Sequence, residues 1–249
     1  MKPADLKICG LAAVRARFAH DAGSIQRLYF DYATGRKIGV MCRALAAARK
    51  VYRCVESAEL EKIAGSVHHG GIVAVVSAAP LPSPAPADVA RWTAHRSPLL
   101  VLDRVGNAHN LGAIARTAAF FGVAAIVLPA DPAAAVPGDA AYRVAEGGLE
   151  AIGVFRVPEL PAFLRNLASA GYEVIGAATR SGRVPARSAS GVRPPVALVL
   201  GNEEQGLSPA VAKACTHLVT IPGRGKVESL NVSVAAAVLM WEFVGRGPH

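Results

Sequence analysis

No apolar run in the 249-residue sequence approaches the roughly 18–20 residues that span a bilayer, so no transmembrane helix is expected. The opening MKPADLKICG has neither an h-region nor a cleavage site, and no secretory signal is expected. Cysteine is scarce: Cys9, Cys42, Cys54 and Cys215 are scattered without a CxxC pair. That spacing argues against a zinc site and against a disulfide scaffold. It fits the reduced, buried thiols of a cytoplasmic protein. GxGxxG is absent, which counts against an ordinary dinucleotide-binding enzyme. GNEEQG, residues 201–206, has the GxxxxG spacing of a P-loop but lacks the Lys–Ser/Thr that must follow, so a Walker A site is excluded. Charged residues are few, 18% against 52% hydrophobic, which excludes a disordered chain.

The charge that is present is uneven. Lys and Arg total 27 and Asp and Glu 18, a net +9. Residues 1–77 carry 12 basic and 6 acidic side chains (net +6), whereas residues 99–249 carry 13 and 11 (net +2). A basic segment joined to a nearly neutral one suggests that the first grips a polyanion. A merely solubilising basic surface is the plain alternative.

The division between the two is marked by prolines at 80, 82, 84 and 86, a spacing that forbids helix and sheet pairing and favours an extended spacer. The expected organisation is a domain at 1–77, a linker at 78–98 and a domain at 99–249. In the first domain, helical spacing in LAAVRARFAH and GVMCRALAAARK alternates with strands IQRLYF, VYRCV and GGIVAVV. Ser57 is the expected N-cap of SAELEKIAG. In the second, strands LLVLD, AAIVL, GVFRV, YEVIGAAT, VALVLG and HLVTIP are short and apolar. Helices NLGAIARTAAFFG, DAAYRVAEGG, ELPAFLRNLASAG, SPAVAKAC and SLNVSVAAAVLMWEF separate them. That pattern predicts an α/β fold with a mostly parallel sheet covered on both faces. Ligands of such sheets bind beyond the carboxyl ends of the strands, which directs attention to three loops.

The first, DRVGNAHNLGAIART, places Asn110 where a helix should start, as a cap. Arg116 follows about a turn and a half later, on a helix read as mostly buried, where an Arg needs an anionic partner. The second, LGNEEQGLSP, sets Gly201 and Gly206 around a polar turn bearing Glu203 and Glu204, with Ser208 as the next cap. The third, IPGRGKVESLNVSVAAAV, runs from a strand through a Gly-rich loop to Ser229 and Asn231 ahead of an apolar helix. Capping alone would account for one of those two residues; both together suggest a ligand loop.

NLGAIART, LGNEEQGLS and IPGRGKVESLNVSVAAAV, in this order, resemble the three motifs of the SpoU/TrmH family of the SPOUT superfamily, S-adenosylmethionine-dependent RNA ribose 2′-O-methyltransferases. SAELEKIAGSVHHGGIVAVV resembles the end of the L30e-like RNA-binding module that precedes many of their catalytic domains. The HHGG and AEGG stretches, residues 68–71 and 145–148, look most like the YfiF-type tRNA/rRNA methyltransferases. The resemblance implies a C-terminal trefoil-knot domain, a homodimer whose sites are completed across the interface, and rRNA or tRNA as partner. It places the methyl donor against Gly201, Ile221 and Leu230, with Asn202 and Pro222 beside them. It makes Asn110, Arg116, Glu203, Ser229 and Asn231 the polar site residues. Two positions depart from the family: Glu204 where Gly is frequent, and Gly223 where Met is frequent.

A guanidinium stays protonated at neutral pH and is a poor base. Arg116 is therefore expected to clamp a phosphate and stabilise a developing alkoxide. Asn110, Ser229 and Asn231 would orient the ribose or the Arg, and Glu203 would hold their geometry. Arg15, Arg17, Arg36 and Lys37 of the first domain are expected to meet RNA phosphates. His68 and His69 read as a turn or an RNA contact, and no metal site is expected. Two other readings stay open: an RNA-binding or assembly factor that kept the fold without turnover, and an unrelated α/β enzyme acting on a small phosphorylated substrate.

Overall fold

The computed structural model describes residues 5–179, 182 and 194–245, which build two sheets. The first module contains β1 (Asp5–Cys9), α1 (Leu11–Asp21), β2 (Ile25–Phe30), α2 (Tyr32–Gly35), α3 (Gly39–Ala47), β3 (Val51–Cys54), α4 (Ser57–Ala64) and β4 (Ile72–Ser77). Its strand order is β1–β4–β2–β3, with β4 antiparallel to both neighbours and β2 parallel to β3. Strand β1 was not expected, because DLKIC is short and only Ile8 and Cys9 are buried. Pairing with β4 along its whole length makes it a strand. The expected cap at Ser57 is corrected: Glu56 is the N-cap residue, its side chain makes no capping bond, and Ser57 is already helical. Ser57 Oγ instead lies 3.4 Å from His69 Nε2.

Residues 78–85 carry no regular structure and lead to α5 (Pro86–Ala94). The second module continues with β5 (Leu99–Asp103), α6 (Ala108–Phe120), β6 (Ala125–Pro129), α7 (Asp139–Ala145), α8 (Gly148–Ala151), β7 (Gly153–Val157), α9 (Leu160–Ser169), β8 (Glu173–Ala177), β9 (Val196–Gly201), α10 (Pro209–Ala214), β10 (His217–Val219) and α11 (Val232–Met240). Its six strands lie in the order β10–β8–β9–β5–β6–β7, every pair parallel. Successive side chains of a strand point to opposite faces. Leu100, Leu102, Ile126, Leu128, Leu198 and Leu200 accordingly join a core shared with α6, α7 and α11. Leu99, Val101, Ala125, Val127, Ala197 and Val199 join another with Trp92, Phe163 and Leu164. Both faces are covered, as the apolar strands required.

Three elements differ from the sequence pattern. DAAYRVAEGG is not one helix, because Glu146 and Gly147 both adopt left-handed backbone (φ 45° and 97°) and separate α7 from α8. HLVTIP is a strand only over its first three residues. The last helix begins at Val232, with Ser229 outside it, and ends in a π-turn, Trp241–Gly245.

The two modules pack through α1, α7 and α8. Arg17 of α1 reaches Glu150 of α8 at 2.7 Å, both side chains largely buried, and donates to the Tyr142 hydroxyl at 3.0 Å. The backbone N–H of Lys7 donates to Asp139 at 2.9 Å. A Cβ on Gly147 would lie 2.9 Å from the Ala16 Cβ, and one on Gly148 would lie 2.8 Å from the Arg116 Cα. This glycine pair lets the start of α8 approach α1 of one module and α6 of the other. Arg17, expected to meet RNA, is thus committed to the seam. Burial raises the Glu150 carboxyl, and the Arg17 charge and hydrogen bond only partly offset it.

Candidate active site

The carboxyl ends of β8, β9 and β10 converge on a cavity of about 500 Å³, within the range of small-molecule sites. Ala177, Ala178 and Thr179 line one side. The 201–206 turn lines another, and Ile221, Glu228, Ser229, Leu230, Val232 and Ala235 complete it.

The turn after β9 is closed on itself. The backbones of Asn202 and Gly206 exchange both hydrogen bonds, at 3.0 and 2.9 Å. Asn202 Oδ1 accepts the N–H groups of Glu204 and Gln205, both at 3.0 Å, while its Nδ2 donates to the Arg104 carbonyl at 2.9 Å. Gly201 must lack a side chain here, since a Cβ would fall 2.1 Å from the Gly206 carbonyl carbon. Gly206 supplies the positive φ, 68°, that lets the turn close. Glu204, the departure from the family pattern, lines the cavity and leaves the turn intact.

Glu203 points out of this turn toward the start of α6. Its Oε1 accepts the Asn110 amide at 2.8 Å and the Asn107 N–H at 3.4 Å, and its Oε2 accepts the Gly106 N–H at 3.2 Å. Partial burial alone would raise its pKa. The hydrogen bonds from Asn110 and from backbone N–H groups outweigh burial and hold the carboxyl below its ordinary value. Asn110 Oδ1 in turn accepts from Asn231 Nδ2 at 3.2 Å. Asn231 is the N-cap of α11, accepting from the Ser233 N–H at 2.9 Å and its hydroxyl at 2.6 Å. One hydrogen-bonded chain, Glu203–Asn110–Asn231, therefore ties the three loops together.

Several expectations need correction. Asn110 is not the cap of α6: Asn107 is, its Oδ1 accepting from His109 and Asn110 N–H at 2.8 and 3.3 Å. That frees the Asn110 side chain for Glu203 and Asn231. Ser208 occupies the N-cap position of α10 without a side-chain cap. Its N–H donates instead to the buried Asp103 carboxylate at 2.6 Å. Arg116 is not buried: its side chain is 58% exposed and pairs with Glu146 at 3.0 Å. Six residues on a helix turn about 600°, so Arg116 points roughly 120° away from Asn110 and does not line the cavity. Gly201, Asn202, Ile221, Leu230, Glu203 and Ser229 do line it, whereas Pro222 is exposed and does not. His69 is a turn residue, 6% exposed, accepting the Gly71 N–H on Nδ1 at 3.1 Å.

Sequence reasoning missed Asn107, Asp103, Arg104 and the Ala177–Thr179 rim. Asn107 had a signal, an Asn three residues ahead of Asn110. Asp103 sat at the end of an otherwise apolar strand, and Arg104 next to it; their partners lie about 100 residues away.

The model of the SpoU rRNA methylase family matches residues 97–241. A model described as RNA 2′-O ribose methyltransferase substrate binding matches residues 7–82. A Ralstonia nicotianae protein named 23S rRNA (guanosine-2′-O-)-methyltransferase RlmB is 36% identical, over 95% of this chain and 94% of its own. The Escherichia coli O157:H7 protein named uncharacterized tRNA/rRNA methyltransferase YfiF is 31% identical, over 96% and 68%. Among solved structures, a TrmH-family protein from Porphyromonas gingivalis superposes with a TM-score of 0.74 at 26% identity, covering 98% of this chain and 90% of that one. An S-adenosylmethionine-bound rRNA methyltransferase from Sinorhizobium meliloti gives 0.74 at 24%, covering 96% and 86%, and speaks to the fold alone.

Proposed function

The chain belongs to the SpoU methylase family, and from that premise we propose that it transfers the methyl group of S-adenosylmethionine to a ribose 2′-hydroxyl of ribosomal or transfer RNA. The observation that carries this reading is the Glu203–Asn110–Asn231 chain, which starts from the wall of a cavity at the carboxyl edge of a parallel sheet. The cavity suits the donor: its size fits a nucleoside-sized ligand, Ile221, Leu230 and Val232 offer apolar wall, and the closed 201–206 turn offers fixed backbone. Gly201, Asn202, Ile221 and Leu230 would hold it, with Pro222 beside them. The donor supplies a methyl group already on a good leaving centre, a sulfonium. The knot and the L30e-like character of the first module belong to the same reading.

The chain's own task is alignment and management of the ribose proton. Asn110 and Asn231, each held at both ends, and Ser229 on the cavity wall would orient the ribose. Such positioning can contribute several kcal/mol. Glu203 stays ionised at neutral pH and fixes the Asn110 amide. Arg116, a permanent cation, clamps the neighbouring phosphate and stabilises the developing alkoxide; the phosphate or a water takes the proton.

Arg116 does not line the cavity of its own chain, and a second copy docked on its face of α6 would bring it to one. It shares the exposed α6 face with Phe120, four residues on and 83% exposed. Val234, Val238 and Trp241 form an exposed stripe on α11 and its extension, and Phe121 and Trp241 bring the two stretches together with ring centroids 6.4 Å apart. A homodimer across this face would cover the stripe and carry Arg116 to the partner's cavity. The four thiols are free, though only Cys9 is buried, not all four as expected, and Cys54 is exposed; free thiols suit a reducing cytoplasm. Methyl transfer from labelled donor into RNA of a strain lacking the gene, digested to nucleosides, tests the function: label in a 2′-O-methyl nucleoside supports it. An assembly factor without turnover would bind RNA and leave it unlabelled.

A further inference from the structure

Arg143 of α7 stands at the seam between the modules. Its Nη1 donates to Ser66 Oγ at 3.1 Å, in the loop after α4. Its Nη2 lies 3.5 Å from His109 Nε2, in the first turn of α6 and one residue before Asn110. Arg143 is half-buried as a residue, yet among the described residues it forms no ion pair. Its neighbours differ: Arg17 has Glu150 and Arg116 has Glu146. Asp139, one turn earlier on α7, accepts the Lys7 N–H. A partly desolvated guanidinium with five N–H donors and no carboxylate is matched by a planar, doubly accepting anion. The surroundings supply further donors. Ser66 Oγ accepts both Arg143 and the His68 N–H at 3.1 Å, leaving its proton uncommitted, and His68 and His109 are exposed. The Arg17–Glu150 pair and the close approach of Gly147 to Ala16 join the two modules here, and Ser66 and His109 hold the Arg143 guanidinium between them.

We propose that Arg143, with Ser66 and His109, is a binding site for one phosphodiester of the RNA, where the strand crosses from the first module to the methyl-transfer site. The proposal rests on the reading of the chain as an RNA methyltransferase. In it, Arg143 sets the register of the strand: a phosphate fixed beside His109 limits which ribose can stand against Asn110.

The test uses the full chain, deproteinised 23S ribosomal RNA as probe, and filter retention across a potassium chloride series. Arg143→Gln is expected to bind about tenfold more weakly, the loss of one charge-assisted contact. Its log–log salt slope should be shallower by about 0.9, one phosphate. S-adenosylmethionine affinity by calorimetry should not change. Arg143→Lys keeps the charge, so its slope should match the wild type while its affinity falls several-fold. Unchanged affinity and slope in Arg143→Gln would overturn the site; should that variant not fold, a Lys variant with wild-type affinity overturns it as well. A wild-type chain that binds neither 23S ribosomal RNA nor, in the same assay, transfer RNA overturns the underlying reading, and the site with it.

Discussion

Asn110 donates its side-chain amide to Glu203 at 2.8 Å, across 93 residues of sequence. The pair joins the start of α6 to the turn after β9, and it exists because Asn107 has taken over the capping of α6. A hydrogen bond to a charged group contributes about 1.5–3 kcal/mol. Asn110→Ala is therefore expected to lower kcat by about 10- to 100-fold, with donor affinity changed less than about threefold, since the Asn110 side chain is not part of the donor cradle. Single-turnover methyl transfer and calorimetry separate the two.

Gly201→Ala should act the other way round. A Cβ 2.1 Å from the Gly206 carbonyl carbon must force the 201–206 turn open. Donor binding is expected to disappear, while RNA retention, governed by the basic surface, persists. Gly206→Ala, at φ 68°, should be milder, destabilising by about 1–2 kcal/mol; thermal unfolding measures it.

The dimer reading has a sharp consequence. If Arg116 of one chain serves the cavity of the other, Arg116→Ala and Asn231→Ala chains complement each other. Mixed and refolded in equal amounts, half the dimers are hybrid and each hybrid holds one intact site. About a quarter of wild-type turnover should return, from two preparations each nearly inactive. No recovery would place Arg116 in its own chain's site or outside the reaction.

At the seam, removing one partner of a buried ion pair costs about 3–5 kcal/mol, whereas replacing both with apolar groups costs far less. Arg17→Met and Glu150→Leu should each lower the unfolding temperature by several degrees. The double variant should recover most of the loss, because burial raises Glu150 even beside Arg17.

Acidification should weaken the loop network through Glu203. Its folded pKa lies below the ordinary 4.5, so its stabilisation is present above that value and lost as pH falls through the lower folded one. Glu150 titrates with the opposite sign: its folded value is raised, so its contribution is full below about 4.5 and fades as pH rises through the folded value. Stability of the wild type minus that of Glu203→Gln isolates the first effect. The difference should shrink on acidification below about pH 4.5.

Much of this was legible in the sequence. Short apolar strands separated by helices specified a parallel sheet covered on both faces, and the carboxyl-edge rule led to the three loops that now form one site. Capping was the weaker guide. Ser57 and Asn110 were each one choice among adjacent polar residues, and the backbone took Glu56 and Asn107 instead. Arg17 and Arg116 show the limit of reading charge. Arg17 met a carboxylate more than a hundred residues away, which composition cannot reveal. Arg116 looked buried because its neighbours are apolar; Ala115 and Ala118 are indeed buried, but Arg116 lies on the other face of the helix with the exposed Phe120.

The most direct test of the account is methyl transfer by the purified chain. Labelled S-adenosylmethionine would be supplied with 23S ribosomal RNA and, separately, with transfer RNA from a strain lacking the gene, and the product digested to nucleosides. Label in a 2′-O-methyl nucleoside of one RNA class, lost in Asn110→Ala and Arg116→Ala, is the predicted result. Label on a base, or none from either RNA by a chain that binds both donor and RNA, would contradict it.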